Sequence, residues 1–247
     1  SPAARDADLG IWPEYQGAGN AGSEESYRRL YARKVAQARG VVVVGAAVIP
    51  EDPKAAMQNF SWVLGPDGAL LGRYDKAHPI PFIERRLAGH SDPRPVDTPL
   101  GLLGLQICYD LDFEDGARLL ARRRARLLAV TNLDPVEWGP GQHAQHSAMA
   151  ALRAVESGLW LARAASSGTS QLIDPRGRVR ASLGYGVSGV LAGEVRLAEG
   201  RTLYASSGWL LIPASFAALG GALLDAGRRR LHWLALAEYP QPAILNR

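Results

Sequence analysis

Cysteine is almost missing from this sequence. Cys108 is the only one in 247 residues. That excludes an intrachain disulfide and a structural zinc site built on several thiolates. It leaves the compartment open, since many exported proteins also lack disulfides. Lysine is nearly as scarce: only Lys34, Lys54 and Lys76 occur. A chain that usually supplies positive charge as arginine makes each lysine a position to explain. Charge of one sign is not concentrated either. The net charge is +4, and basic residues cluster only at Arg122–Arg124 and Arg228–Arg230. Arg122–Arg124 reads as a solvated helix face. No basic stripe is interleaved with aromatics, so nucleic acid is not an expected partner. The opening SPAARDADLG has neither a basic leader nor an apolar core, so no signal peptide is expected there.

Long hydrophobic runs are also few. The stretch TLYASSGWLLIPASFAALGGALL, 202–224, carries no charge. Its apolar heart, Trp209–Leu224, is short for a membrane span and contains Pro213 and two glycines. Arg228–Arg230 follow, as on the cytoplasmic side of a span. From composition alone the segment admits two readings, a membrane helix and a buried C-terminal helix of a soluble domain.

The sequence does hold alternating strand and helix patterns. GVVVVGAAVI, 40–49, is continuously apolar and predicts a strand buried on both faces. Before it, Tyr27, Leu30, Tyr31 and Val35 share one helical stripe. NFSWVLGPDGALLGRYDK, 59–76, predicts a hairpin around Gly-Pro-Asp-Gly. LGLLGLQICYD predicts a buried strand ending at Cys108, FEDGARLLARRRA a helix, and RLLAVTNL, 126–133, the next strand. QHSAMAALRAVESGL predicts a helix, WLARAAS, 160–166, a strand, and TSQLIDPRGRVRASL a second hairpin. Together they predict a mixed α/β sandwich with helices covering the sheets.

Against that frame, three residues fall at strand ends. Cys108 closes a buried strand just before polar residues and a helix, the edge where α/β folds collect their sites. A lone cysteine is commonly a small hydrophobe. It becomes a nucleophile only where a base and a cation assist it. Glu14, in LGIWPEYQG, follows an apolar strand and Pro13, which lacks a backbone donor and is expected to end regular pairing. Lys76, in RYDKAHPIPFIE, ends a hairpin strand. Taken singly, Glu14 reads as a turn acid and Lys76 as an exposed lysine. Taken together they form a constellation.

These stretches, WPE with Glu14, YDKAHPIPFIE with Lys76 and ICYDLDFED with Cys108, resemble the nitrilase, or carbon–nitrogen hydrolase, superfamily. The resemblance runs from about Asp6 to Tyr204. It implies an α-β-β-α sandwich and a Glu-Lys-Cys triad in that chain order. Glu14 would be the base, Cys108 the nucleophile, and Lys76 the cation that lowers the thiol pKa and holds an oxyanion. A compact ammonium suits that place better than a planar guanidinium. The backbone N–H of Tyr109 would be a second oxyanion donor, and Glu84 would orient Lys76.

Further stretches resemble one branch, the apolipoprotein N-acyltransferases. They are KAHPIPFIERR, TNLDPVEWGPGQHAQHSAMAALRAVESG, SSGTSQLIDPRGRV and GVLAGEVRLAEGRTLYASSGW. That resemblance implies a phospholipid acyl donor, a Cys108 thioester, and transfer to the amino terminus of a lipoprotein. It favours a membrane helix over Trp209–Leu224 and a catalytic domain, 1–204, on the periplasmic or extracellular side of the cell membrane, with 205–247 as an apolar segment and basic tail. It also implies several membrane helices, a strand and a helix ahead of the Pro-Glu strand, so the sequence is expected to be part of a longer protein or to have lost an element. Asp110 stands where these acyltransferases carry Glu. Trp138, Asp110 and His78 are candidate substrate-binding residues. His143 and His146 read as polar packing at a helix start, and neither metal nor cofactor is expected. The alternative function is a carbon–nitrogen hydrolase, an amidase in which water resolves the thioester. A binding module without catalysis would have no use for all three triad residues.

Overall fold

Val41–Val48 is buried at all eight positions, as its unbroken β-branched and small apolar run requires. Its side chains alternate between two layers, the strand period of two. Val42, Val44, Ala46 and Val48 pack with Tyr31, Val35, Phe60 and Trp62, while Val41 and Val43 pack with Leu105, Ile107 and Ala129. A computed structural model of the chain describes residues 6–19, 24–36, 38–52, 54–84, 92–198 and 202–237. The chain divides into two compact units, Ser1–Ser206 and Ser207–Arg247.

The first unit holds two sheets. One has the order β1 (Leu9–Gly19), β2 (Val41–Val48), β3 (Gln58–Leu64) and β4 (Leu70–Asp75). The other has the order β5 (Leu103–Ile107), β6 (Leu127–Leu133), β7 (Leu161–Ser166), β8 (Ser170–Ile173) and β9 (Val179–Leu183). Both expected hairpins form, β3–β4 and β8–β9, each antiparallel. The pairs β1–β2, β5–β6 and β6–β7 are parallel. Residues of both sheets share the middle layer, and helix α1 (Glu24–Val35) covers the outer face of the first sheet. Helices α2 (Glu114–Arg122) and α3 (Gly139–Ser157) cover the second through Leu120, Ala121, Ala150 and Ala154 against Leu128, Val130 and Leu161. The result is the expected α-β-β-α sandwich. A short helix, α4 (Leu203–Ser207), follows.

Pro13 begins a bulge rather than ending the strand. Leu9–Trp12 pair with Val41–Val44, and pairing resumes at Gly17 opposite Ala46. Pro13–Gln16 therefore loop out across Gly45. A Cβ on Gly45 would lie 2.4 Å from the Pro13 carbonyl oxygen and 2.5 Å from Glu14 Cα. Only glycine lets the bulge come this close.

The membrane helix expected over Trp209–Leu224 is not confirmed in the second unit. Among the described residues no helix is long and apolar enough to cross a membrane. Trp209 and Leu210 belong to a 3-10 turn, Gly208–Leu210, and α5 begins at Leu211 and runs to Ala237. Its uncharged stretch, Leu211–Leu224, rises only about 21 Å at helical pitch, against about 30 Å of hydrocarbon. Asp225 and Arg228–Arg230 then enter the same helix.

Candidate active site

The second sheet's parallel strands all end at one edge, and Cys108 is the first residue beyond β5. It opens a 3-10 turn, Cys108–Asp112, with φ at +46°. That left-handed conformation is costly for a residue with a Cβ and persists only where its surroundings hold it. Cys108 is buried, and its Sγ–H donates to the Leu133 carbonyl at 3.5 Å.

Leu133, the last residue of β6, turns its N–H the other way. That N–H donates to Glu14 Oε2 at 2.9 Å. One residue thus touches both the thiol and the carboxylate. Glu14 Oε1 accepts from Asn59 Nδ2 at 2.6 Å and from Lys76 Nζ at 3.1 Å. Glu14, Lys76 and Cys108 are each no more than 2% exposed. Across the sheets nearby, the Ser61 and Thr131 hydroxyls bond at 2.9 Å, which joins the two layers near this edge.

Lys76 lies just beyond β4, its N–H donating to the Asn59 carbonyl. Its ammonium is shared with a second acid, Glu84, whose Oε1 is 2.9 Å and Oε2 2.8 Å away. Glu84 also accepts from the Tyr15 hydroxyl, Asn59 Nδ2 and the Ile80 N–H, at 2.8–2.9 Å. Burial opposes the charge on Lys76, but Glu14, Cys108 and Glu84 outweigh it and raise its pKa. The two acids diverge. Burial raises the carboxyl of Glu14 above its ordinary value despite Lys76 and Asn59. For Glu84 burial acts in the same direction, but Lys76, Ile80 and Tyr15 overcome it and lower the pKa. The two acids that share the Lys76 ammonium are thus displaced in opposite directions. Burial, then Glu14, push the Cys108 thiol well above its usual range, while Lys76 pulls it down.

Tyr109 lies in the turn after Cys108, its ring edge-on to Phe113 at 5.2 Å. Asp110 is buried, with Oδ1 accepting the His78 N–H and Oδ2 accepting the Tyr74 hydroxyl and the Ile107 N–H, all at 2.8–2.9 Å. His78 stacks on Phe113 at 3.9 Å, and its hydrogen bond with Asp110 raises its pKa. Trp138 closes the 3-10 turn Val136–Trp138, where its N–H donates to the Pro135 carbonyl. Trp138 and His78 are half-buried and are not among the groups hydrogen-bonded to Glu14, Lys76 or Cys108 among the described residues.

Two neighbours of these groups, Asn59 and Tyr15, are absent from the sequence reading, and a third, His146, has a lesser part in it. Asn59 faces Lys76 across the hairpin, one step past the Phe60–Asp75 pair, so a worked register for GPDG would have found it. Tyr15 carries φ of +61° inside the bulge, which no local pattern announces. His146, read as helix packing, instead meets Asp134 at 2.7 Å and the Cys108 carbonyl at 3.1 Å. Cys108, Asp134 and His146 offer ligand atoms within 4.8 Å of one another, a spacing a metal ion could use. Asp134 already binds the Arg163 guanidinium at 2.7 Å, and both His146 ring nitrogens have partners. The donor set therefore fits a hydrogen-bond network better than a metal centre.

Comparison with known proteins agrees with this arrangement. Residues 2–204 match the carbon–nitrogen hydrolase family. The chain is 36% identical over 186 residues to an apolipoprotein N-acyltransferase of Gloeobacter violaceus, covering 68% of this chain and 35% of that protein. It is 30% identical to the enzyme of that name from Geobacter metallireducens, covering 82% of this chain and 42% of that one. It thus spans less than half the length of these relatives. An omega-amidase of Homo sapiens is 30% identical over 65% of this chain and 63% of its own. Among solved structures, an amidase from Nesterenkonia superposes with a TM-score of 0.68 at 24% identity, covering 83% of this chain and 82% of that one, a likeness of fold. An α-β-β-α sandwich, an acid, an amine and a thiol at one strand edge, and a match over most of the sequence give one conclusion: the chain belongs to the carbon–nitrogen hydrolase, or nitrilase, family.

Proposed function

We propose that this chain is an N-acyltransferase that carries a phospholipid acyl group on Cys108 and delivers it to the amino terminus of a lipoprotein. The observation that carries the covalent step is the pairing of Lys76 with two acids of opposite pKa displacement beside a buried thiol. In this reading Glu14 takes the thiol proton as sulfur attacks the ester carbonyl. A carbon–sulfur bond forms, and the carbonyl electron pair moves to an oxyanion held by Lys76 and the Tyr109 N–H. Collapse breaks the carbon–oxygen bond, and the proton on Glu14 goes to the departing lysophospholipid oxygen. The incoming amine then attacks the thioester, gives a proton to Glu14, and expels the thiolate. Glu84 holds Lys76. Trp138, His78 and Asp110 flank the approach, Asp110 by holding the loop at His78.

The choice of lipid donor and lipoprotein acceptor is supported by the names of the relatives at 30–36% identity. We place the chain at the outer surface of the cell membrane as part of the same reading. Exposed Leu211, Ile212, Phe216 and Leu219 on α5 suit a lipid surface. The test is incubation with phospholipid vesicles followed by intact-mass measurement. The expected result is a gain of one acyl chain on Cys108, absent in Cys108→Ser. A second reading, an amidase that transfers the acyl group to water, is favoured by the human omega-amidase, of which the matched region is the larger part. Rapid turnover of a small amide with no lipid-derived label would establish it instead.

A further inference from the structure

The strained turn at Cys108 is held from both sides. On the near side the Ile107 N–H donates to Asp110 Oδ2 at 2.9 Å. On the far side the Cys108 carbonyl meets His146 Nε2 at 3.1 Å. A carbonyl oxygen can only accept, so Nε2–H donates to it, and on the other side of the ring Nδ1–H donates to the Asp134 carboxylate. Behind the ring a buried chain continues. His146 Nδ1 lies 2.7 Å from Asp134 Oδ1, Asp134 Oδ2 lies 2.7 Å from an Arg163 guanidinium nitrogen, and Arg163 donates to the Thr169 carbonyl at 2.8 Å. Asp134, His146 and Arg163 are all buried. Asp134 is the first residue beyond β6, His146 lies in α3 and Arg163 in β7, so the ring is held between elements of the sandwich.

The Cys108 carbonyl and the Tyr109 N–H belong to one planar peptide group, with O and H on opposite sides. Whatever holds the oxygen therefore sets the direction of the N–H. A donor on the oxygen also polarises the amide and strengthens its N–H as a donor. We infer that His146, anchored by Asp134 and Arg163, is a positioning residue that aims the Tyr109 N–H at the oxyanion. The inference rests on the proposed covalent reading for its catalytic consequence, and on the hydrogen bonds alone for its effect on the peptide.

The test compares wild type, His146→Leu and His146→Gln in the full 247-residue chain. Leu keeps bulk and removes the donor, and Gln returns an amide N–H at similar reach. Two readouts are needed. One is the rate of acyl-Cys108 formation from phospholipid vesicles by mass, beside the rate of Cys108 alkylation by iodoacetamide, a reaction without an oxyanion. The other is the 15N shift of the Tyr109 amide in tyrosine-labelled protein, which responds to a hydrogen bond on the preceding carbonyl. His146→Leu is expected to slow acylation about 10- to 100-fold while alkylation stays within about threefold, with Gln recovering most of the loss. The Tyr109 amide is expected to shift in Leu and return in Gln. An unshifted Tyr109 amide in His146→Leu overturns the inference. Equal losses of acylation and alkylation overturn it too, since they mark a structural effect on the thiol. If wild-type Cys108 takes no acyl group, the covalent reading fails, while the amide shift still decides whether His146 sets the peptide. Should His146→Leu not fold, His146→Asn replaces it, because its shorter amide cannot reach the carbonyl.

Discussion

Glu84 Oε2 lies 2.8 Å from Lys76 Nζ, an ion pair with the lysine fully buried. It makes two carboxylates on one ammonium, because Glu14 holds the same nitrogen at 3.1 Å. With one partner, Lys76 would hold Glu14 firmly ionised and make it a poor base. With two, the charge of Glu84 adds to burial in raising the Glu14 carboxyl, against the pull of Lys76.

Glu84→Gln therefore gives Lys76 wholly to Glu14. Acyl-Cys108 formation is expected to fall about 100-fold, within the range for loss of a general base. Lys76→Met leaves two buried acids without their cation and is expected to cost about 3–5 kcal/mol, read from denaturant melts. Lys76→Arg keeps the charge but brings a planar fork into a site shaped for a compact ammonium. It is expected to recover stability without recovering acylation. Equal recovery of both would contradict this account.

The pH profile of acylation follows from the same divergence. The base must be deprotonated, so the rate is lost as pH falls through the Glu14 pKa. Burial raises that pKa from 4.5, so the acid limb is expected above the ordinary carboxylate range. Glu14→Gln should abolish the limb along with most of the rate. Simple alkylation of Cys108 should behave differently in Glu14→Gln. Its thiol is raised by burial and by Glu14, so removing the acid's charge lowers the alkaline midpoint of iodoacetamide labelling.

Much of this was readable in the sequence, for physical reasons. Val41–Val48 announces itself because a strand buried on both faces has no polar alternation to blur it. Cys108, Lys76 and Glu14 were found as strand-end residues, since topology brings such ends to one edge. Glu14 was misread only in its backbone, where pairing resumes at Gly17 after a bulge that depends on Gly45, distant in sequence. Asn59 escaped notice and His146 was read as polar packing at a helix start, because a lone polar residue in a strand or helix looks alike whether it fills space or bonds a neighbour's carbonyl. The segment 209–224 is short for a membrane span even at its full length, and the helix boundary shortens it further. Trp209 and Leu210 fall outside α5, and the uncharged helical stretch is short without them.

Asp134 gives the site an acid sensitivity of its own. Burial would raise its carboxyl, but the hydrogen bond from His146 and the charge of Arg163 overcome this and hold it at about 2, against 3.8 when free. A depressed acid stabilises the fold above its unfolded pKa, and the gain is lost as pH falls through the folded value. The window is therefore between pH 4 and pH 2, and the size about 2 kcal/mol at 1.36 kcal/mol per unit. Asp134→Asn is expected to lower stability at pH 7 and to flatten the dependence below pH 4, measured by urea melts across that range. A slope unchanged by the substitution would place the acid sensitivity elsewhere.

Gly45 offers the sharpest check on how Glu14 is placed. Gly45→Ala sets a methyl 2.4 Å from the Pro13 oxygen and 2.5 Å from Glu14 Cα, both backbone atoms that no rotamer change can move. The bulge must shift outward, at a cost of about 1–3 kcal/mol, in the range of overpacked cores. The same shift carries the Glu14 carboxylate away from Lys76 and the Leu133 N–H, bonds that now stand at 3.1 and 2.9 Å. A displacement of about 1 Å at a reacting group costs about 100-fold in rate. Gly45→Ala should therefore lose acylation by about that factor in protein that remains folded. Gly141→Ala is the control, since a Cβ there meets nothing within 4 Å. If Gly45→Ala keeps full acylation, Glu14 does not owe its position to the close approach of β1 and β2.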